Sequence, residues 1–191
     1  MRYLLTVTLS LHFAAFASVA AQRPAPWKVL GDTAGAPKGC TASAAIEAID
    51  TWFNAFTTAD SAALAHVLAV RGGTWVFTTG RFAPTDTFVR IETLPALLRY
   101  ARSRLHTHED IELRAVQFYG WQGKRLTFMP FFVRSADDLG AGEHAGIGKA
   151  GFVCGRGIEK LNLAPRSPNQ PGPDSIMVRT PRGLEARPRP R

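Results

Sequence analysis

The stretch Ile46-Glu47-Ala48-Ile49-Asp50-Thr51-Trp52-Phe53-Asn54-Ala55-Phe56-Thr57-Thr58-Ala59-Asp60-Ser61-Ala62-Ala63-Leu64-Ala65-His66-Val67-Leu68 decides the fold of this chain. Ile46, Ile49, Phe53 and Phe56 recur at intervals of 3, 4 and 3, which lays them on one stripe of an α-helix. Thr41 or Ser43 can cap its start, because a short side-chain oxygen satisfies N–H groups that the first turn leaves without partners. Asp60 plays the same part for a second, short helix carrying Leu64, Val67 and Leu68.

Downstream, Gly72-Gly73 stops the second helix and Trp75-Val76-Phe77 reads as a strand, followed by irregular chain through Pro84. A third helix is expected over 93–105. Thr93 caps it, Pro95 is tolerated in its first turn, Leu94, Leu97, Leu98 and Ala101 form its apolar side, and Arg99, Arg102 and Arg104 crowd the rest. After it the period changes to two. Ile111, Leu113 and Ala115 alternate with Asp110, Glu112 and Arg114, the pattern of a half-buried strand. A turn near Gly120 and Gly123 leads to the apolar run 126–133, in which Pro130 implies an edge or a bulge. A loop over 135–146, a strand over 147–154, a turn at Gly155-Arg156-Gly157 and a strand over 158–163 complete the pattern. Helices first and strands afterwards define an α+β fold, with a strongly curved antiparallel sheet wrapped around the N-terminal helices.

The ends have a different character. Arg2, an uncharged run from Tyr3 to Ala21 and the small residues Ser18-Val19-Ala20-Ala21 have the layout of a secretory signal peptide. The expectation is a secreted or periplasmic protein cleaved near Ala20-Ala21; the competing reading is an uncleaved anchor, since the run is close to the roughly 20 residues that span a bilayer. The remainder, about 170 residues, has the length of one domain. Residues 22–39 hold three prolines and three glycines and read as a flexible leader. Residues 164–191 hold seven prolines and many arginines and are expected to be disordered, having too little apolar surface to offset their ordering entropy. The domain proper is expected over 40–163. Of the formal net charge of +8, the tail carries +4 from Pro165 onward and Arg2 one more, leaving +3 for residues 22–164. The folded part is therefore only mildly basic.

Cys40 and Cys154 are the two cysteines. In an oxidising compartment such a pair is a disulfide candidate; the alternative is two buried thiols, because sequence does not place them together.

The run Trp52-Phe53-Asn54-Ala55-Phe56, then Asp60, then Ala63-Leu64 resembles the opening of the nuclear transport factor 2-like superfamily, which includes ketosteroid isomerases and polyketide-cyclase-like proteins. Phe132-Val133-Arg134-Ser135-Ala136-Asp137-Asp138-Leu139, with Gly148-Lys149-Ala150 and Cys154-Gly155-Arg156-Gly157, is similar to secreted bacterial members without assigned activity. The resemblance spans residues 40–163. It implies a cone: a bent sheet around helices, with a pocket at the open end. Enzymes of the superfamily keep an acid–base pair in that pocket, and other members bind ligands or pair as dimers. No motif here matches an isomerase's aspartate base with its tyrosine donor.

Phe53, Phe56, Trp75, Phe77, Phe118 and Phe128 are the expected lining of an apolar ligand pocket. His106 and Asp110 are the candidate catalytic bases, His106 because an imidazole titrates near neutral pH. The His106-Thr107-His108-Glu109 cluster would present two histidines to one face if it were a strand, but a polar helix-to-strand junction is the simpler reading, and neither a metal nor a cofactor is expected. Gly146-Ile147-Gly148-Lys149-Ala150-Gly151 has the letters of a dinucleotide fingerprint without the helix its chemistry requires, and reads as a loop entering a strand. Asp110, Glu112 and Arg114 read as a solvated, ion-paired face. Arg134 is expected to pair with Asp137 or Asp138 and pin the loop between them. The basic tail suits contact with anionic surfaces; lacking interleaved aromatics, it offers no stacking platform for specific nucleic-acid binding.

The function expected is that of a secreted cone-fold domain binding a small apolar ligand or a protein partner, without catalysis. The alternative is an acid–base enzyme of isomerase, dehydratase or hydrolase type. A third expectation is a homodimer formed through the sheet.

Overall fold

Thr41, Asp60 and Thr93 each do what their side chains allow. The Thr41 hydroxyl accepts from the Ala44 N–H at 3.2 Å, Asp60 accepts from Ala62 and Ala63 at 2.9 and 3.0 Å, and Thr93 accepts from Ala96 at 3.4 Å. The computed structural model describes residues 28–31, 33–69, 76–82, 87–167, 170, 172–173, 175–180 and 183–188, the last two segments as backbone. In chain order the elements are β1 (Lys28–Leu30), α1 (Ala42–Thr57), α2 (Ser61–Val67), β2 (Val76–Thr79), β3 (Val89–Ile91), α3 (Leu94–Arg104), β4 (Asp110–Gln122), β5 (Arg125–Ser135), β6 (His144–Val153), β7 (Gly157–Pro165), β8 (Ser175–Thr180) and β9 (Gly183–Pro188), with 3-10 turns at Leu105–Thr107 and Asp137–Leu139. The expected signal peptide, Gly72-Gly73 and Trp75 lie outside the described residues. Among the described residues no helix is long and apolar enough to cross a membrane.

The fold is α+β. Seven strands form one open sheet in the order β1-β4-β5-β6-β7-β2-β3. The expected antiparallel pairing holds for β4 through β7 and for β2 with β3. Two pairings are parallel: β1 with β4 and β2 with β7. Strand direction depends on how the chain returns to the sheet, and residue alternation carries no record of it.

Bulges keep β4 facing the helices. The register with β5 shifts between Leu113 and Ala115 and again between Phe118 and Gly120, so Arg114 and Tyr119 are extra residues. Each shift resets the alternation. Ile111 and Leu113, then Val116 and Phe118, accordingly join the core with Ile49, Phe53 and Phe56 of α1. A smaller cluster of Leu30, Ala115 and Phe131 lies on the other face.

The reading of 22–39 as wholly flexible is corrected at Lys28–Leu30, which add to the edge of β4. Leu30 is buried against Ala115 and Phe131, and this apolar anchor offsets the ordering of the arm. Gly31 lets the arm lie close: a Cβ there would meet the Phe118 carbonyl oxygen at 2.4 Å. Residues 164 and 165 complete β7, and the backbones of β8 and β9 pair with each other in a separate two-stranded sheet. The apolar cluster Ile176-Met177-Val178, noted in the sequence, falls in β8.

Pro130 is a further correction. It occupies a central strand, with no register shift against β6. The β5–β6 ladder instead pairs Phe128 with Ala150, skips Met129 and Pro130, and resumes at Phe131 with Ile147. A proline without an N–H interrupts the ladder there. Opposite it, glycine is a packing requirement: a Cβ on Gly148 would lie 2.8 Å from Pro130 Cγ, and one on Gly146 would lie 2.2 Å from the Phe132 ring. Gly146→Ala should therefore lower stability by about 1–3 kcal/mol, the usual cost of overpacking. Gly151→Ala, whose Cβ would meet Glu159 at 3.4 Å, should shift the urea midpoint much less. Equal midpoints for the two variants would contradict the packing argument.

Cys40 and Cys154 form a disulfide, with Cα atoms 5.6 Å apart. It ties the residue just before the α1 cap to the turn joining β6 and β7. Both ends are held by backbone bonds, Cys40 N–H to the Pro37 carbonyl and Cys154 N–H to the Lys124 carbonyl, each 2.9 Å.

Candidate functional site

At the C-terminal end of α3 the chain turns through Leu105–Thr107 into β4. The Thr107 hydroxyl donates to the Arg104 carbonyl at 2.7 Å, and His108 takes a left-handed conformation with φ 45°. This turn sends Glu109 inward and leaves His106, His108 and Asp110 exposed.

Glu109 joins two arginines. One of its oxygens accepts from Arg134 Nε at 2.6 Å and the other from Arg104 Nε. Arg104 also reaches Asp138 with both terminal nitrogens, at 2.7 and 2.8 Å, in a bidentate pair. Glu109 and Arg134 are almost wholly buried, with side chains 2% and 3% exposed. The Arg134 guanidinium also lies over the Phe82 ring, 4.8 Å from its centroid, where the π face favours a cation. Two positive and two negative groups balance, as burial of ions requires.

Burial works against the charge on Arg104, but its hydrogen bonds to Asp138 and Glu109 outweigh this and raise its pKa. The bond from Arg104 holds the Asp138 carboxyl below its ordinary value, despite some desolvation. The sign of the pH dependence follows. A depressed folded-state pKa contributes stability above the unfolded value of 3.8, lost as pH falls through the folded value. Asp138→Asn should therefore be less stable than wild type at neutral pH, and the gap should close below the usual carboxylate range. The Asp138 side chain is 42% exposed, so solvent screening makes the gap modest. Urea titrations of both proteins across acid pH measure it.

The expected bases do not occupy this site. His106 and Asp110 are exposed. His108 pairs at the surface with Asp137, Nδ1 to oxygen 2.7 Å, so the cluster is the polar junction and not a two-histidine strand face. Among the described residues no group of three metal-ligating side chains comes together. Arg134 pairs with Glu109, while Arg104 and His108 pair with Asp138 and Asp137. Arg134 still lowers the Asp138 pKa through its charge. Arg114, on the solvated face of β4, pairs with Glu112 at 2.9 Å and Glu143 at 3.2 Å. The glycine-rich run 146–151 lies within β6 and leads by a turn into β7, so the helix that a pyrophosphate site requires does not follow it.

Phe53, Phe56, Phe77, Phe118 and Phe128, expected to line a pocket, are fully buried core residues. Trp52 stacks on Phe56 at 5.0 Å and contacts Phe77 at 5.1 Å; Phe53 meets Phe132 at 5.4 Å and Phe118 meets Phe128 at 5.9 Å. His144 stands directly across the ladder from Arg134, and its Nε2 is buried without a hydrogen-bond partner.

Clefts open on the surface. One, of about 700 Å³, lies between α2, the start of α3 and the β6–β7 turn, beside His66 and Arg156. Another, of about 440 Å³, lies beside His108 and Asp137. A third, of about 610 Å³, opens on the sheet at Tyr119, Met129 and Lys149.

No family model matches the chain, and no curated protein matches it. Solved structures share its fold. An NTF2-like protein with a cystatin-like fold from Novosphingobium aromaticivorans is 14% identical over 64% of this chain and 79% of that one, with a TM-score of 0.49. A variant of Rv3472 from Mycobacterium tuberculosis, a protein of unknown function, is 14% identical over 65% of this chain and 75% of that one, with a TM-score of 0.50. A chain of the yeast complex of the deubiquitinase Ubp3 with its cofactor Bre5 is 14% identical over 67% of this chain and 99% of its own, with a TM-score of 0.50. The chain shares an α+β fold with these structures, its sheet open.

Proposed function

We propose that this chain is an extracytoplasmic domain that binds a small apolar ligand and performs no acid–base catalysis. One observation carries the reading: the carboxylate buried inside the fold, Glu109, has both oxygens engaged by arginines, while His106 and Asp110 face solvent. A general base works best held within reach of the proton it removes and beside an orienting partner, and no partner is seen for either exposed candidate among the described residues. Export is supported by the N-terminal sequence and agrees with the disulfide.

Two measurements on the chain beginning at Gln22 test this. Titration with N-phenyl-1-naphthylamine, a neutral apolar fluorophore, should give saturable emission at one equivalent. A 5-ene-3-ketosteroid, whose isomerisation needs a base and an acid, should turn over no faster than in buffer. Turnover that disappears in Glu109→Gln or His144→Ala would overturn the proposal.

A further inference from the structure

Two separate irregularities of the sheet meet at one place. On β4, Tyr119 is the extra residue of the second bulge, followed by Gly120 at φ 119°. On the next two strands, the β5–β6 ladder is open where Met129 and Pro130 face Gly148 and Lys149. The cleft of about 610 Å³ lies over both, on the sheet face that carries Met129, away from the helices. Its volume is that of a small-molecule site, about 300–1,000 Å³.

The lining has a definite chemistry. Tyr119 is 54% exposed, and its hydroxyl donates only to the Met129 sulfur at 3.7 Å, a weak acceptor that leaves the phenol available. Partial burial pushes the Tyr119 pKa upward, so the ring stays neutral. Thr127 and Gln122 add polar edges. Lys149 is exposed and has no ion pair among the described residues. Two other cations on the sheet are ion-paired: Arg125 with Glu159 at 2.5 Å, and Arg114 with Glu112 and Glu143. Across the ladder from Lys149, Asn162 is occupied by the Thr78 hydroxyl at 2.7 Å. The cleft therefore combines an aromatic wall, a polarisable thioether and one uncompensated positive charge. Thioether–aromatic contact and a fixed cation both favour a flat anion.

We propose that this cleft binds a small aromatic carboxylate or sulfonate, its ring against Tyr119 and Met129 and its anionic group on the Lys149 ammonium. This rests on the reading of the chain as a binding domain and places the ligand on the outer face of the sheet, not inside the cone.

The test uses 1-anilinonaphthalene-8-sulfonate beside N-phenyl-1-naphthylamine, which differs from it by lacking the sulfonate. Wild type should bind the sulfonate at one equivalent and more tightly than the neutral probe. Lys149→Ala should weaken the sulfonate about fivefold and leave the neutral probe unchanged. Tyr119→Ala should weaken both about fivefold. Raising the salt should act on the sulfonate alone. Both side chains are exposed, and far-UV circular dichroism checks that the variants keep their fold. The Met129 methyl resonance should shift on binding. Failure of both probes to bind overturns the binding reading and this site together. Binding of both probes with no effect of Lys149→Ala or Tyr119→Ala, or with shifts confined to core residues such as Phe53, overturns the site alone. A dimer that buries the cleft and excludes both probes, dissociating on Tyr119→Ala, also overturns it.

Discussion

Replacing both cysteines, Cys40→Ser together with Cys154→Ser, is expected to lower the unfolding free energy by about 4–5 kcal/mol. The bridge spans 114 residues of sequence, and loop-closure entropy removed from the unfolded chain gives that magnitude in the chain-entropy model. Single domains are stable by only about 5–15 kcal/mol, so about a third of the margin or more is at stake. The bridge holds the start of α1 against the β6–β7 turn. Urea unfolding of oxidised wild type, reduced wild type and the double variant should give one high midpoint and two low ones that coincide. A loss under about 1 kcal/mol would mean that the unfolded chain already keeps these ends together.

Glu109→Ala should cost about 3–5 kcal/mol, the typical penalty for removing one partner of a buried ion pair. The carboxylate serves Arg104 and Arg134 at once. Arg104 would retain Asp138, but Arg134, only 3% exposed, would lose the counter-charge at its Nε. Glu109→Gln should fall between, since an amide oxygen still accepts a hydrogen bond but carries no charge. Combining Glu109→Leu with Arg134→Met should cost less than the sum of the two changes, because no ion is then left alone. Additive losses would show that the two groups do not act as a pair.

Much of this architecture was legible from residue periods. The i, i+3, i+4 stripe marked α1, and Thr41, Asp60 and Thr93 marked the helix starts. The same arithmetic could have found Glu109: it stands two residues before Ile111, and Arg134 stands two after Phe132, so simple alternation places both on the core face. Their charge argued against that placement, and only three-dimensional pairing makes it affordable. Asp138 and Arg104 could not be connected this way, because 34 residues separate them and no period links a helix end to a strand loop. The packing of the aromatic rings was out of reach for a related reason. Pattern identifies which rings face inward but not whether they touch one another, and here they close on themselves. The cleft at Tyr119 was illegible because bulges and ladder gaps arise from pairing register.

The three-residue arm Lys28–Leu30 has a consequence for how these molecules meet one another. A long bare strand edge is a template for fibril growth. On one side of the sheet the arm covers Ala115 to Gln117 of β4; beyond it on either hand come the bulges at Arg114 and Tyr119, and the charged Asp110, Glu112 and Arg114 line the longer flank. The opposite side ends in β3, equally short, with Arg90 paired to Glu92 at 2.6 Å. Among the described residues, neither border offers a straight, uncharged run of unpaired backbone. At high concentration the folded sheet therefore carries its own protection against polymerisation.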